Sequence, residues 1–153
     1  MPLHGPLSHI DLSVSDPDRS IPFYAALLEG VGFRRMPVDL PDFQGERPRR
    51  ACWLLPYPGG GLLGIEVRPA SGPARDRPYD RYAPGPHHLA FHAGSRKAVD
   101  DVHAKVHALG GTVLDAPADY SGQRGYTDGY YAVFFADPDG VKLEVVHDPV
   151  CNP

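Results

Sequence analysis

The chain has 153 residues and a formal net charge of −4, with 42% hydrophobic and 22% charged residues. This length suits one globular domain or two small fused units. Because charges of both signs are scattered along a slightly acidic chain, we expect no nucleic-acid partner. We also expect a cytoplasmic protein with no membrane partner, since no apolar run could span a bilayer and no signal-like segment opens the chain.

The first half of the chain predicts one helix among four strands. His9–Val14 alternates polar and apolar residues, which is typical of a half-buried strand. Asp16 followed by Pro17 is a favourable helix start, and Gly30 and Gly32 are expected to end that helix. Three further strands are predicted at residues 33–38, 51–55 and 62–67.

The second half predicts the same order of elements. After a predicted strand at residues 88–93, Ser95 can cap a helix whose apolar stripe runs from Val99 to Leu109. A hairpin turn is expected at residues 137–140, where proline fixes φ and glycine accepts a positive φ. The remaining strands are predicted at residues 112–114, 130–135 and 141–146.

The two halves also match in spacing. His9 and Gly32 are 23 positions apart, and so are His88 and Gly111. We therefore predict two strand–helix–three-strand modules, each too small to bury its sheet well by itself. The predicted modules span residues 5–70 and 86–149, with a proline-rich connector at 71–85 and long loops, typical of lids or binding loops, at 37–50 and 115–129.

Strand alternation places four chemically able side chains on equivalent faces of the two modules. Successive side chains of a strand point to opposite faces, so the apolar sets of these strands are expected to pack on the helices. The opposite faces then carry His9, Glu66, His88 and Glu144. Two imidazoles and two carboxylates are a donor set that divalent metals bind.

Three segments resemble the vicinal oxygen chelate superfamily of glyoxalases, bleomycin resistance proteins and extradiol dioxygenases: residues 9–33, 87–91 and 134–144. The resemblance implies an α+β fold in which two tandem βαβββ modules form an eight-stranded, incompletely closed barrel with a central metal cleft. It also implies a divalent metal ion (Ni, Co, Zn, Mn or Fe) and places His9, Glu66, His88 and Glu144 at the four ligand positions of the glyoxalase I pattern. In that pattern Glu144 is the first choice of catalytic base and Glu66 the second.

Further polar and aromatic residues are predicted to line a substrate pocket. Alternation indicates that one of the two tyrosines at 130 and 131 faces the site, without deciding which, and that His87 points away from His88. The pocket candidates are Asp11, Ser13, His92, Tyr120, Arg124, Tyr126, Tyr130 and Tyr131.

Three functions stay open at this point. The first is a metal-dependent isomerase or lyase of glyoxalase type acting on an unidentified small molecule, although the chain offers no clear match to the glutathione-contacting positions of glyoxalase I. The second is an extradiol-type Fe(II) dioxygenase, for which His9, His88 and Glu144 would supply two histidines and one carboxylate. The third is a binding or resistance protein that holds an antibiotic or natural product without catalysis. A homodimer is expected in each case.

Overall fold

A computed structural model describes residues 7–37, 50–56, 60–73 and 75–151. The chain divides into two compact units, Met1–Arg77 and Pro78–Pro153, here called unit 1 and unit 2. Within the described residues, each unit contains one helix and one four-stranded mixed sheet. The predicted α+β class and the two βαβββ modules are therefore confirmed, while the module boundaries at 70 and 86 remain a prediction.

The elements of unit 1 are β1 (His9–Val14), α1 (Pro17–Gly30), β2 (Arg34–Arg35), β3 (Ala51–Pro56) and β4 (Leu62–Pro69). Its sheet has the order β1-β4-β3-β2, with β1 parallel to β4 and the other pairs antiparallel. The predicted strand at 33–38 is only two residues long where the structure describes it. Residues 38–49 of the first long loop lie outside the described residues.

The helix of unit 1 begins and packs as the sequence predicts. Asp16 accepts a hydrogen bond from the backbone N–H of Asp18 at 3.0 Å, and Pro17 occupies the first helical turn, where its missing N–H costs nothing. The apolar side of α1 and the facing side of the sheet form the core. Its fully buried side chains include Phe23, Tyr24, Leu27, Trp53, Ile65 and Val67. The opposite face of the sheet is therefore left for polar side chains.

The elements of unit 2 are β5 (Leu89–His92), α2 (Arg96–Ala108), β6 (Thr112–Asp119), β7 (Tyr131–Ala136) and β8 (Lys142–His147). Its sheet repeats the topology of unit 1 in the order β5-β8-β7-β6. Strand β6 extends five residues beyond the predicted end, so the first part of the long loop at 115–129 is strand. Two register shifts along β6 and a proline at 117 hide the alternation in the sequence, and an edge strand tolerates both.

Local signals hold the second unit together as predicted. Ser95 caps α2 by accepting from the N–H of Ala98 at 3.1 Å. In the turn between β7 and β8, Asp137 accepts from two backbone N–H groups and Gly140 has a φ of 89°. Within the described part of the chain, no helix is long and apolar enough to cross a membrane.

Candidate functional site

The polar face of the unit 1 sheet borders a cavity of about 460 Å³. Pairing of β1 with β4 sets His9 beside Gly64 and Asp11 beside Glu66, and all four residues line the cavity. The alternation argument therefore brought His9, Asp11 and Glu66 to one surface. Ser13, a further pocket candidate on the same strand, is exposed and lies beside Arg68 in the register, outside the cavity lining.

Gly64 provides the room in which the His9 side chain stands. A Cβ atom added at this glycine would lie 3.2 Å from the Cβ of His9, closer than side chains normally approach. The imidazole Nδ1 lies 3.2 Å from Ser8 Oγ, which leaves its Nε2 on the far side of the ring. His9 therefore presents an exposed imidazole nitrogen at the edge of the cavity.

Glu66 is held by guanidinium groups. Arg50 donates to Glu66 Oε1 through Nε at 2.7 Å and also through Nη2, and Arg68 Nε is 3.7 Å from the same oxygen. Arg68 in turn donates to Asp11 Oδ2 at 2.9 Å. The side chains of Arg50 and Glu66 are only 13% and 12% exposed, so their charges are weakly screened by water.

Cys52 lies beside Glu66 in the register of β3 and β4 and also lines this cavity. Burial raises the pKa of the Cys52 thiol, and the negative charges of Glu66 and Asp11 raise it further. Since the thiolate is the reactive form of cysteine, Cys52 is a poor nucleophile at neutral pH.

In unit 2 the polar face centres on Glu144, which is 3% exposed. Tyr130 donates its phenolic hydrogen to Glu144 Oε1, and His88 Nε2 lies 3.4 Å from Oε2. Among the described residues, no lysine or arginine forms an ion pair with Glu144. Burial and the bond to Glu144 both raise the pKa of Tyr130, so the phenol remains a proton donor at neutral pH.

The pairing of β7 with β8 decides between the two adjacent tyrosines. Phe134 stands opposite Glu144, so residues an even number of positions from Phe134 share its face and Tyr130 belongs to that set. Tyr131 lies on the helix face instead, where its hydroxyl donates to Asp100 on α2 at 2.9 Å. Tyr131 is therefore removed from the pocket candidates.

An aromatic cluster, defined here as Tyr120, Tyr126, Tyr130 and Phe134, lies on the Glu144 face of unit 2. Its ring centroids are 5.1 Å apart for Tyr120 and Tyr126, 4.8 Å for Tyr126 and Tyr130, and 5.6 Å for Tyr120 and Phe134. A hydrogen bond from the backbone N–H of Tyr120 to the carbonyl oxygen of Tyr130, at 2.9 Å, closes the loop that carries Tyr126. Three sequence-predicted aromatic residues thus meet beside Glu144.

His87 corrects the alternation argument. It was expected to point away from His88, yet the two Nδ1 atoms are 2.8 Å apart. Both residues precede β5, which begins at Leu89, so the strand period does not apply to them. Two further pocket candidates, His92 on β5 and Arg124 in the loop after β6, are exposed, and neither forms a hydrogen bond or ion pair with Glu144 in the described part of the chain.

Glu144 and His88 together fit two of the ligand positions of a divalent metal site. Two ligand atoms that are each about 2.1 Å from one tetrahedral ion stand about 3.4 Å apart, which is the separation of His88 Nε2 and Glu144 Oε2. Glu66 fits less well, because its carboxylate charge is already paired with the Arg50 guanidinium, and that positive charge opposes a second cation at the same carboxylate. No group of three or more histidine, cysteine, aspartate or glutamate side chains in the described parts of the chain is arranged to hold an ion.

Sequence reasoning missed the role of Arg50 and Arg68. Alternation along β4 puts Arg68 on the face of Glu66, so its position was predictable from the strand pattern. Arg50 directly precedes β3, and in the sequence it belongs to a basic stretch that is typical of a solvated loop. Arg50 reaches Glu66 because β3 begins at the next residue, Ala51, and pairs with β4.

Comparisons with known proteins agree with this architecture. A family model described as the Glyoxalase/Bleomycin resistance protein/Dioxygenase superfamily matches residues 7–145. The chain therefore belongs to this superfamily. It is 30% identical to the uncharacterised protein YqjT of Bacillus subtilis over 142 residues, which are 92% of this chain and 97% of that protein.

Solved structures show the same fold. A candidate glyoxalase from Bacillus halodurans is 25% identical, with a TM-score of 0.67 over 94% of this chain and 96% of that one. A mutant glyoxalase I from Zea mays is also 25% identical, with a TM-score of 0.53 over 93% of this chain and 46% of that one. The chain thus spans about half the length of the maize protein.

Proposed function

We propose that the chain is a divalent-metal-dependent enzyme of glyoxalase type that transfers a proton on a small molecule, with Glu144 as the base. The observation that carries the proposal is the environment of Glu144, a nearly fully buried carboxylate bonded to a phenol and adjacent to an imidazole. The likeness to the maize protein, a glyoxalase I by name, supports the same class of reaction.

The proposed roles of the residues follow from their contacts. Glu144 removes a proton from a carbon next to an oxygen of the substrate and returns it to the neighbouring carbon. Tyr130 holds one carboxylate oxygen, so that the other is directed toward His88. His88 and Glu144 would hold the metal, with His9 as the further ligand that the family resemblance implies. When bound, the ion would stabilise negative charge that develops on the substrate oxygen.

A second candidate function is the extradiol-type Fe(II) dioxygenase. The ion pair between Arg50 and Glu66 favours it, because it leaves two histidines and one carboxylate as ligands of the implied set. Such a set keeps positions on iron open for a catechol and for oxygen. Oxygen consumption by the Fe(II)-loaded protein with a panel of catechols distinguishes this function from the first.

The test of the first function uses proton exchange. Protein loaded separately with Ni(II), Co(II) or Zn(II) is incubated in D₂O with hemithioacetals of methylglyoxal and with simple α-hydroxyketones, and deuterium incorporation is followed by NMR. We expect exchange with at least one probe and its loss by at least about 100-fold in Glu144→Gln. The control is Asp101→Asn, because Asp101 pairs with Lys97 one turn away on α2 and lies far along the chain from Glu144.

Two results would oppose this proposal. Equal exchange in Glu144→Gln and in the unmodified protein would remove Glu144 as the base. Tight binding of an antibiotic or other natural product that is insensitive to chelators, without any turnover, would favour the binding-protein alternative. A cytoplasmic homodimer remains part of the proposal, and light scattering on the purified protein tests the dimer.

A further inference from the structure

We infer that Glu66 is an arginine-holding carboxylate that does not ligate the metal, so that Glu144 supplies the only carboxylate of the ligand set. The part of this inference that concerns metal binding rests on the proposed function. The part that concerns the arginines stands on the contacts of unit 1 alone.

One oxygen of the Glu66 carboxylate is already surrounded by guanidinium nitrogens. Glu66 Oε1 accepts from two nitrogens of Arg50 and has Arg68 Nε at 3.7 Å. Arg68 is fixed from its other side by Asp11 at 2.9 Å. Two positive charges around one carboxylate disfavour a third cation there, and moving Arg50 away would leave its partly buried guanidinium without this partner.

The equivalent carboxylate of unit 2 has the opposite surroundings. Glu144 occupies the matching position on the last strand of its sheet, but its neighbours are a neutral phenol and an imidazole. Both neighbours are compatible with a bound cation, since a phenol donates one hydrogen bond and a neutral imidazole is itself a metal ligand. The two units therefore carry a glutamate at matching positions, and the two glutamates bind different partners.

Exposure supports the assignment of a structural role to Glu66. Its side chain is 12% exposed and that of Arg50 is 13% exposed, so the pair is shielded much more than an ordinary surface ion pair. Arg50 stands just before β3, and its bond reaches across to β4. The pair thus fixes the start of β3 against the neighbouring strand.

The first experiment measures metal binding and does not depend on turnover. Cobalt(II) is titrated into the unmodified protein and the variants Glu66→Gln, Asp101→Asn and Glu144→Gln, with the visible absorption of bound cobalt as the readout. Asp101→Asn is the control, because it removes a lysine-paired carboxylate on α2, outside the cavity lining. We expect Glu66→Gln and Asp101→Asn to stay within about threefold of the unmodified affinity, and Glu144→Gln to bind at least about tenfold more weakly.

The second experiment tests the ion pair without any metal. Unfolding by urea is measured in the presence of a chelator for Arg50→Gln, Glu66→Gln and the double variant. We expect each single substitution to raise the unfolding equilibrium constant about tenfold. We expect the double variant to be no less stable than the less stable of the two single variants. Such coupling indicates that the two side chains act as a unit.

The outcomes separate this inference from the proposed function. If Glu66→Gln lowers cobalt affinity as strongly as Glu144→Gln, the inference is overturned while the proposed function stands. If the unmodified protein binds no cobalt, the proposed function fails and the stability cycle decides the inference. Additive effects of the two substitutions would then overturn it, and coupled effects would support it.

Discussion

Tyr130 donates its phenolic hydrogen to Glu144 Oε1 from the residue that directly precedes β7. In unit 1, the residue that directly precedes β3 is Arg50, and it donates to Glu66. In each sheet, therefore, a side chain at the start of one strand donates a hydrogen bond to the glutamate of the neighbouring strand. The neutral donor, Tyr130, leaves the carboxylate charge available to a metal or a proton, whereas the cationic donor, Arg50, neutralises it.

The bond between Tyr130 and Glu144 should contribute measurably to stability. Changing Tyr130 to Phe removes the hydroxyl and leaves a buried carboxylate oxygen without its donor, which costs about 1–3 kcal/mol. Urea unfolding of Tyr130→Phe measures this cost.

The adjacent tyrosine provides the control for this measurement. Tyr131→Phe removes a hydroxyl that donates to Asp100 on α2. This hydrogen bond is exposed, so water can replace the lost partner. We expect a change below about 0.5 kcal/mol in that variant. Equal destabilisation by the two substitutions would show that burial of Glu144 gives the bond to Tyr130 no special weight.

Alkaline pH should act on the same bond. The pKa of Tyr130 is raised in the folded protein, by burial first and then by the bond to Glu144. Since the folded state holds this proton more tightly than the unfolded chain, the linked stability is complete below the unfolded pKa of about 10 and is lost as pH rises above it. Unfolding measured across the alkaline range should therefore show a steeper loss in the unmodified protein than in Tyr130→Phe, and parallel curves would contradict the assignment.

The sequence pattern was sufficient for side chains within strands and insufficient at strand ends. Alternation correctly placed Glu66 and Glu144 on the faces opposite the helices, because both lie well inside β4 and β8. It misplaced His87, which precedes β5, and could not choose between the tyrosines at 130 and 131, since that choice depends on the pairing of β7 with β8. The partners of a carboxylate depend on cross-strand register, and a single sequence does not contain that register.

The hydrogen bonds to Asp148 should affect how the free energy of unfolding falls at acidic pH. Burial acts to raise the pKa of this carboxyl, but bonds from Thr127 and from the segment at 150–151 lower it to about 2. A depressed pKa contributes stability that is complete above the unfolded value of about 3.9 and is lost as pH falls toward about 2. Urea unfolding at about pH 6 and at about pH 3 should show a smaller drop for Asp148→Asn than for the unmodified protein.

Asp128 provides the comparison for that result. Asp128 is exposed and lies next to Thr127 in the loop between β6 and β7. We expect Asp128→Asn to lose as much stability in acid as the unmodified protein does. If the two variants respond alike, the acid limb belongs to other carboxyl groups and the bonds to Asp148 do not control it.

A side chain at Gly64 should crowd His9 and lower the stability of the protein. In Gly64→Ala the new Cβ would be 3.2 Å from His9 Cβ and 3.6 Å from Leu54 Cδ2, so the histidine must shift by a few tenths of an ångström. We expect a loss of about 1 kcal/mol in stability from this overpacking. Gly94→Ala is the matched control, because a Cβ at Gly94 would meet nothing within 4 Å. If His9 ligates the metal as proposed, cobalt affinity falls in Gly64→Ala and stays constant in Gly94→Ala, whereas unchanged affinity in both variants would argue that the His9 imidazole does not contact the ion.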